Sequence, residues 1–216
     1  MNHTSQMSEF AARLASRHAE AAEAIRKCAH DVHTAVNQFY NGRLPYGFHL
    51  DMVADGVLRY ASPIVRDDDD VLPVYFGAYF HDSIEDARLT YNDVTSVARQ
   101  FMDASQALTA AEIVYALTNE KGRTRAERAD ARYYAGIRAT PYAPMVKLAD
   151  RLANMTFSAR NATDGSTNSR MRRIYADELP HFLQSISPAP GDGEPDARLC
   201  LPELMVKEVC KIANQS

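Results

Sequence analysis

Between residues 8 and 38, the apolar positions Phe10, Leu14, Ala21, Ile25, Val32 and Val36 recur at intervals of four and seven. That is the stripe of an amphipathic helix, not the alternation of a strand. Asn41-Gly42-Arg43-Leu44-Pro45 interrupts the pattern, and a second helix is predicted over His49 to Tyr60. Pro63 and the run Asp67-Asp68-Asp69-Asp70 come next. Four aspartates ahead of an apolar stretch predict a helix N-terminus, where carboxylates meet free N–H groups and the helix dipole. The alternative is a cation site, against which adjacent like charges count as the usual mark of a solvated turn. Val71 to Asp86 is the densest apolar block, 16 residues with an early Pro73, and reads as one buried helix.

Further helices are predicted from a cap at Thr90-Tyr91-Asn92-Asp93 to about Ala104, and over 107–117, 124–138, 142–160 and 167–186. Asn119 to Arg125 is a polar, glycine-containing connection, and Ser187 to Pro195 is rich in Pro and Gly, as linkers are. Pro202 to Asn214 has the spacing of a short amphipathic helix that docks or pairs. Strand signals are almost absent and no repeat recurs. The expected fold is all-α: a single compact bundle of roughly eight to ten helices over 1–186, a linker over 187–201 and a C-terminal helix within 202–216.

Composition narrows the class. A chain of 216 residues, 46% apolar and 24% charged, has the make-up of a folded domain, and at that length buries about 70% of its unfolded surface. No apolar run is long enough to span a bilayer, and the start lacks a secretory layout. Three cysteines, none in a C-x-x-C pair, make a reducing cytoplasmic setting the expectation. A net charge of −4 gives no general attraction to nucleic acid, so that partner is disfavoured.

Two clusters carry candidate chemistry. On a helix, His81, Asp82, Glu85 and Asp86 fall at about 0°, 100°, 40° and 140°, which gathers an imidazole and three carboxylates on one side. Buried charges need partners, and a divalent cation is an economical one. The plainer alternative is that His81 caps the core and the acids meet solvent or arginines. Lys147, Asp150, Arg151 and Asn154 share a helical face by their spacing of three and four, with Val146, Leu148 and Leu152 free to point inward. Alone, that face reads as a surface ion-pair helix. Cys28-Ala29-His30-Asp31-Val32-His33 also contains His-Asp, but Thr34 and Ala35 stand where acids would follow, so it is read as a lining or surface feature.

Taken in order, Pro45-Tyr46-Gly47-Phe48-His49, Phe80-His81-Asp82-Ser83-Ile84-Glu85-Asp86 and Val146 to Asn154 resemble the P-Y-x-x-H, H-D-x-x-E-D and V-K-L-A-D-R-x-x-N elements of the RelA/SpoT-type hydrolases, a branch of the HD phosphohydrolase superfamily. The resemblance implies an all-helical domain binding one divalent ion, commonly Mn2+, through His49, His81, Asp82 and Asp150. Mixed imidazole and carboxylate ligands also suit Fe2+, Zn2+ or Co2+. Glu85 and Asp86 match the acidic pair that positions or deprotonates water, and Asn154 the substrate-contacting Asn. Lys147 and Arg151 lie within the motif, either as substrate contacts or as structural groups.

Relatives of this type carry an Arg/Lys pair before P-Y-x-x-H, whereas Asn37 to Arg43 offers only Arg43 as a cation. Tyr40 or Phe39 could instead stack on a base. The stretch Thr118 to Arg125, and Arg173 or Tyr175 farther along, are further candidates for holding substrate. The expectation is a small stand-alone (p)ppGpp 3'-pyrophosphohydrolase acting on a small-molecule nucleotide, with homo-oligomerisation open. The alternatives are an HD-type dNTP triphosphohydrolase or 5'-nucleotidase, and a non-catalytic nucleotide-binding module.

Overall fold

The computed structural model describes residues 7–119, 123, 124, 127, 129–188 and 194–215. Among them the chain is all-α, with ten α-helices and one two-residue hairpin. No helix among the described residues is long and apolar enough to cross a membrane.

The amphipathic stretch at the N-terminus is two helices, not one: α1 (Glu9–Arg17) and α2 (Ala19–Ala35). The break at His18 leaves the helical ladder intact, because its N–H donates to Leu14 O and its carbonyl accepts from Ala22, each at 2.8 Å. Splitting there lets the Phe10 and Leu14 face and the Ile25 and Ala29 face each bury independently. The hairpin β1 (Phe39–Tyr40) and β2 (Leu44–Pro45) pairs antiparallel around Asn41 and Gly42, both at positive φ. Asn-Gly supports that turn at low steric cost. Helix α3 (Gly47–Tyr60) follows.

The four aspartates do not cap the next helix through their side chains. Asp70 occupies the cap position, but its carboxylate accepts from the Tyr142 hydroxyl. Asp68 pairs with Arg13 and Arg17, and Asp67 accepts from the Asp69 N–H. Helix α4 (Val71–Phe80) is buried at every residue. It does not continue to Asp86. At His81 the chain leaves the helix and winds through turns over 81–86, tied by Ser83 N–H to Phe80 O at 2.9 Å and Asp86 N–H to Asp82 O at 2.8 Å. The apolar pattern gives way at the same point to His, Asp, Glu and Asp, side chains that need polar surroundings.

Helix α5 (Tyr91–Ala98) has the predicted Thr90/Asp93 capping box, but ends before Ala104 because Asp103 caps α6 (Ala104–Leu117). Asp130 starts α7 (Ala131–Ala139), and of the predicted helical start at 124, residues 125, 126 and 128 lie outside the described residues. The predicted helix over 142–160 is α8 (Ala143–Arg160), that over 167–186 is α9 (Thr167–Ile186), and the tail helix is α10 (Glu203–Ala213). The tail docks, burying Met205 and Val209, and α10 packs against α3, α8 and α9. Residues 189–193 of the predicted linker lie outside the described residues, and Ala197–Leu199 form a 3-10 turn.

Helix α8 is the axis of the bundle. It packs against α3, α4, α6, α7, α9 and α10, with Met145, Val146, Leu148 and Ala149 fully buried. Burying a side chain the size of Leu148 contributes about 1.5–3 kcal/mol. That core fixes the one face of α8 that is left for polar side chains.

Candidate metal centre

Three stretches of the chain converge beside a cavity of about 680 Å3. The first turn of α3 brings His49, the turns after α4 bring His81 and Asp82, and α8 brings Asp150. His49 and His81 are 2% and 1% exposed, and their Nε2 atoms lie 3.3 Å apart. His49 Nε2 is 3.4 Å from Asp150 Oδ1 and 3.6 Å from Asp82 Oδ2, and His81 Nε2 is 2.9 Å from Asp82 Oδ2. One ligand atom each from His49, His81 and Asp150 can be chosen with all separations within 4.8 Å. Asp82 adjoins both imidazoles without joining that tightest group.

His81 Nδ1 lies 2.9 Å from the Ala78 carbonyl, which can only accept, so Nδ1 carries a proton and Nε2 of the neutral ring is an acceptor. That acceptor faces a carboxylate oxygen and a second imidazole nitrogen, an arrangement that only a proton or a cation relieves. Ligands about 2.1 Å from an ion and 90–109° apart are separated by about 3.0–3.4 Å. The spacings around His49 Nε2 sit close to that range. The residues fit a Mn2+, Fe2+, Co2+ or Zn2+ ion and do not select among them.

Electrostatics point the same way. Burial opposes protonation of His49, yet the Asp150 and Asp82 carboxylates outweigh it and lift its pKa to about 9. Burial pushes Asp82 and Asp150 upward, but the imidazoles on Asp82, and Lys147 with His49 on Asp150, hold both below the usual carboxylate range. Lys147 Nζ pairs with Asp150 Oδ2 at 3.0 Å. Asp86 is different: burial and the neighbouring Asp82 charge raise its pKa. A carboxylate shifted upward is the better proton acceptor near neutral pH.

The structure brings together most, not all, of the side chains named from sequence. Asn154 donates to Asp150 Oδ1 at 2.6 Å and accepts from the Tyr40 hydroxyl at 2.9 Å, so it orients the Asp150 carboxylate as well as facing the cavity. Tyr40 stacks on His49 at 4.9 Å and lines the cavity with Tyr175 and Lys147. Glu85 stands at the rim, accepting from the Asn119 amide at 2.8 Å. Arg151 is buried and does not face solvent. Its guanidinium pairs with Glu178 at 3.0 Å and lies over the Tyr175 and Phe182 rings at 4.8 and 4.3 Å. Arg43 and Arg173 are exposed and do not line the cavity. In the stretch 118–125, Asn119 reaches the cavity, and residues 120–122 and 125 lie outside the described residues.

Sequence reasoning missed Glu178, His181 and Phe182, which close the cavity from α9. The spacing of Tyr175, Glu178 and Phe182 by three and four was the available signal. It also missed the part played by Tyr46, whose hydroxyl donates to Asp82 Oδ2 at 2.5 Å and to Asp86 Oδ2 at 2.9 Å. His33 is neither a surface group nor a cavity-lining one: it is 1% exposed and stacks on Tyr46 with centroids 4.5 Å apart. Neither of its ring nitrogens has a hydrogen-bond partner among the described residues. Its neighbour His30 lies 3.0 Å from Asp51 and directly over Gly47, where a Cβ would come within 2.6 Å of the ring. Comparison with known protein families and with curated proteins finds no match to this chain.

Proposed function

We propose that the cavity is the active site of a metal-dependent nucleotide phosphohydrolase of the HD type, and that its substrate is (p)ppGpp, from which it removes the 3'-pyrophosphate. The observation that carries this reading is the convergence of His49, His81, Asp82 and Asp150 beside Asp86, a carboxylate with a raised pKa. A divalent cation held by those four residues supplies Lewis acidity, acidifying water and polarising a phosphoryl oxygen.

The protein's own groups then have distinct tasks. Asp86 takes the proton of the attacking water, and Glu85 at the rim helps to orient that water. The water oxygen joins the phosphorus attached to the 3'-oxygen, and the bond between that phosphorus and the 3'-oxygen breaks. The nucleoside departs with its 3'-oxygen, which is protonated from solvent. Lys147 offsets the charge of Asp150, and Asn154 fixes the carboxylate's orientation. Tyr40 offers an aromatic face to a base.

A second reading, a 5'-nucleotidase acting on monophosphates, draws on the charge of the lining. Five carboxylates, Asp82, Glu85, Asp86, Asp150 and Glu178, stand against the cations Lys147 and Arg151, each of which is already ion-paired. Such a lining suits a substrate with few phosphate charges. Incubation with Mn2+ and a panel of ppGpp, pppGpp, dNTPs and nucleoside monophosphates, beside Asp82→Ala, separates the readings. Pyrophosphate release from ppGpp, lost in the variant, is the expected result. Phosphate release from monophosphates alone would select the second reading, and no turnover of any member would reject both.

A further inference from the structure

Tyr46 occupies a position that the tasks assigned above leave unused. It is 8% exposed, it is the N-cap residue of helix α3 three residues before His49, and its ring is held on several sides. His33 stacks on it at 4.5 Å and 11°, while Tyr40 and His49 meet it edge-on at 6.4 and 5.5 Å. The phenol therefore cannot swing away, and its oxygen stands between two carboxylates. Its single proton is shared between Asp82 Oδ2 at 2.5 Å and Asp86 Oδ2 at 2.9 Å.

The two acids are four residues apart on the turns after α4, and both line the same cavity. In a site that attracts a cation, both would be drawn to it, since carboxylates are interchangeable as ligands by chemistry. What separates them is the hydroxyl to which both are tethered. Asp82 Oδ2 also lies against the imidazoles, 2.9 Å from His81 Nε2 and 3.6 Å from His49 Nε2, where a cation would be shared with them, while for Asp86 the Tyr46 hydroxyl is the side-chain hydrogen bond found among the described residues.

We propose that Tyr46 is a positioning residue that divides the labour of the two carboxylates, leaving Asp82 to the cation and restraining Asp86 from joining it. This rests on the cation-binding reading above and adds to it a reason why Asp86 stays available to water. Removing the hydroxyl frees Asp86 to become a further ligand. The cation is then held more tightly and the reaction loses its proton acceptor.

The test uses the full chain and Mn2+ alone as the first probe, by titration calorimetry on wild type, Tyr46→Phe, Asp86→Asn and the double variant. Phenylalanine keeps the ring between His33 and His49, and thermal melts without metal verify that it folds. The expected result is a three- to tenfold gain in Mn2+ affinity for Tyr46→Phe that disappears in the double variant, with Asp86→Asn alone close to wild type. Such non-additivity isolates the pair. The visible spectrum of the Co2+-loaded protein, which reads the ligand set, should change in Tyr46→Phe and revert in the double variant. On whichever nucleotide wild type hydrolyses, kcat should fall at least tenfold in Tyr46→Phe, with KM within about twofold. Weaker Mn2+ binding in Tyr46→Phe with kcat retained would overturn the proposal, making Tyr46 a prop for Asp82 only. An unchanged affinity and spectrum would overturn it too. Failure of wild type itself to bind Mn2+ would instead reject the cation-binding reading on which it rests.

Discussion

The Nε2 atoms of His49 and His81 face each other at 3.3 Å, and the proton on His81 Nδ1 is committed to the Ala78 carbonyl at 2.9 Å. Without a cation, the contact is relieved by the proton that His49 retains, its pKa being lifted to about 9 by Asp150 and Asp82 against the effect of burial. The proposed divalent ion would replace that proton. Mn2+ at a hundred times its dissociation constant should therefore stabilise the fold by about 2.7 kcal/mol, raising Tm by roughly 5–10 °C for a chain of this size. Chelator should reverse the shift and His81→Ala should abolish it. A wild-type melt indifferent to Mn2+, Co2+ and Zn2+ alike would count against the site.

Lys147 and Asp150 form an ion pair in which each side chain is about 15% exposed. Lys147→Met removes the closer of the two cations beside the Asp150 carboxylate, leaving only the His49 imidazolium at 3.4 Å. In chelator, urea unfolding should show a loss of about 3 kcal/mol. Mn2+ should restore part of it, because the ion supplies the missing positive charge. A loss under about 0.5 kcal/mol, the range of an exposed pair, would show that Asp150 is solvated.

His33 gives a pH signature. Burial lowers its pKa from the ordinary 6.5 to about 4, so the unfolded chain takes up a proton before the folded one does. Its contribution is fully present above about pH 6.5 and is lost as pH falls toward 4, to a total on the order of 3 kcal/mol. The stability of metal-free His33→Phe should fall less steeply than wild type across that window. Parallel profiles would show that His33 is solvated or paired.

Two glycines should respond in opposite directions. A Cβ at Gly77 would lie 2.7 Å from Ile113 Cγ2, so Gly77→Ala must part α4 from α6. The expected cost is about 1–3 kcal/mol. At Gly136, inside α7, nothing lies within 4 Å of the added carbon. Gly136→Ala should stabilise by about 0.5–1 kcal/mol through helix propensity. Thermal melts of the two variants, with and without Mn2+, decide both.

Much of this was legible from the one-dimensional pattern. The spacing of apolar residues located α3, α6, α8, α9 and α10 closely, because long amphipathic stripes leave a helix as the one way to bury them. Boundaries set by local chemistry were harder. His18 splits a stripe that reads as continuous, and α4 stops at Phe80 although the following turns look helical in projection. The proposed ligands stood out because their residue types are costly in an apolar block. Arg151 was harder, since its ion pair and ring contacts lie on α9 and only the fold brings them near. Tyr46 and His33 were hidden for the same reason: 36 residues separate Tyr46 from Asp82, and no local period links them.

The side chains that meet beside the cavity come from distant stretches of chain, with 32 residues from His49 to His81 and 101 from His49 to Asp150. Both closures, and the seating of α8 at the centre, must be complete before the four groups face one another. Loop closure of that range is entropically expensive and is recovered only as the core forms. A cation therefore has nothing to grip in the early stages of folding. It should leave the refolding rate nearly unchanged and slow unfolding instead, so the bound ion would act as a latch on a finished bundle and not as a template for building one.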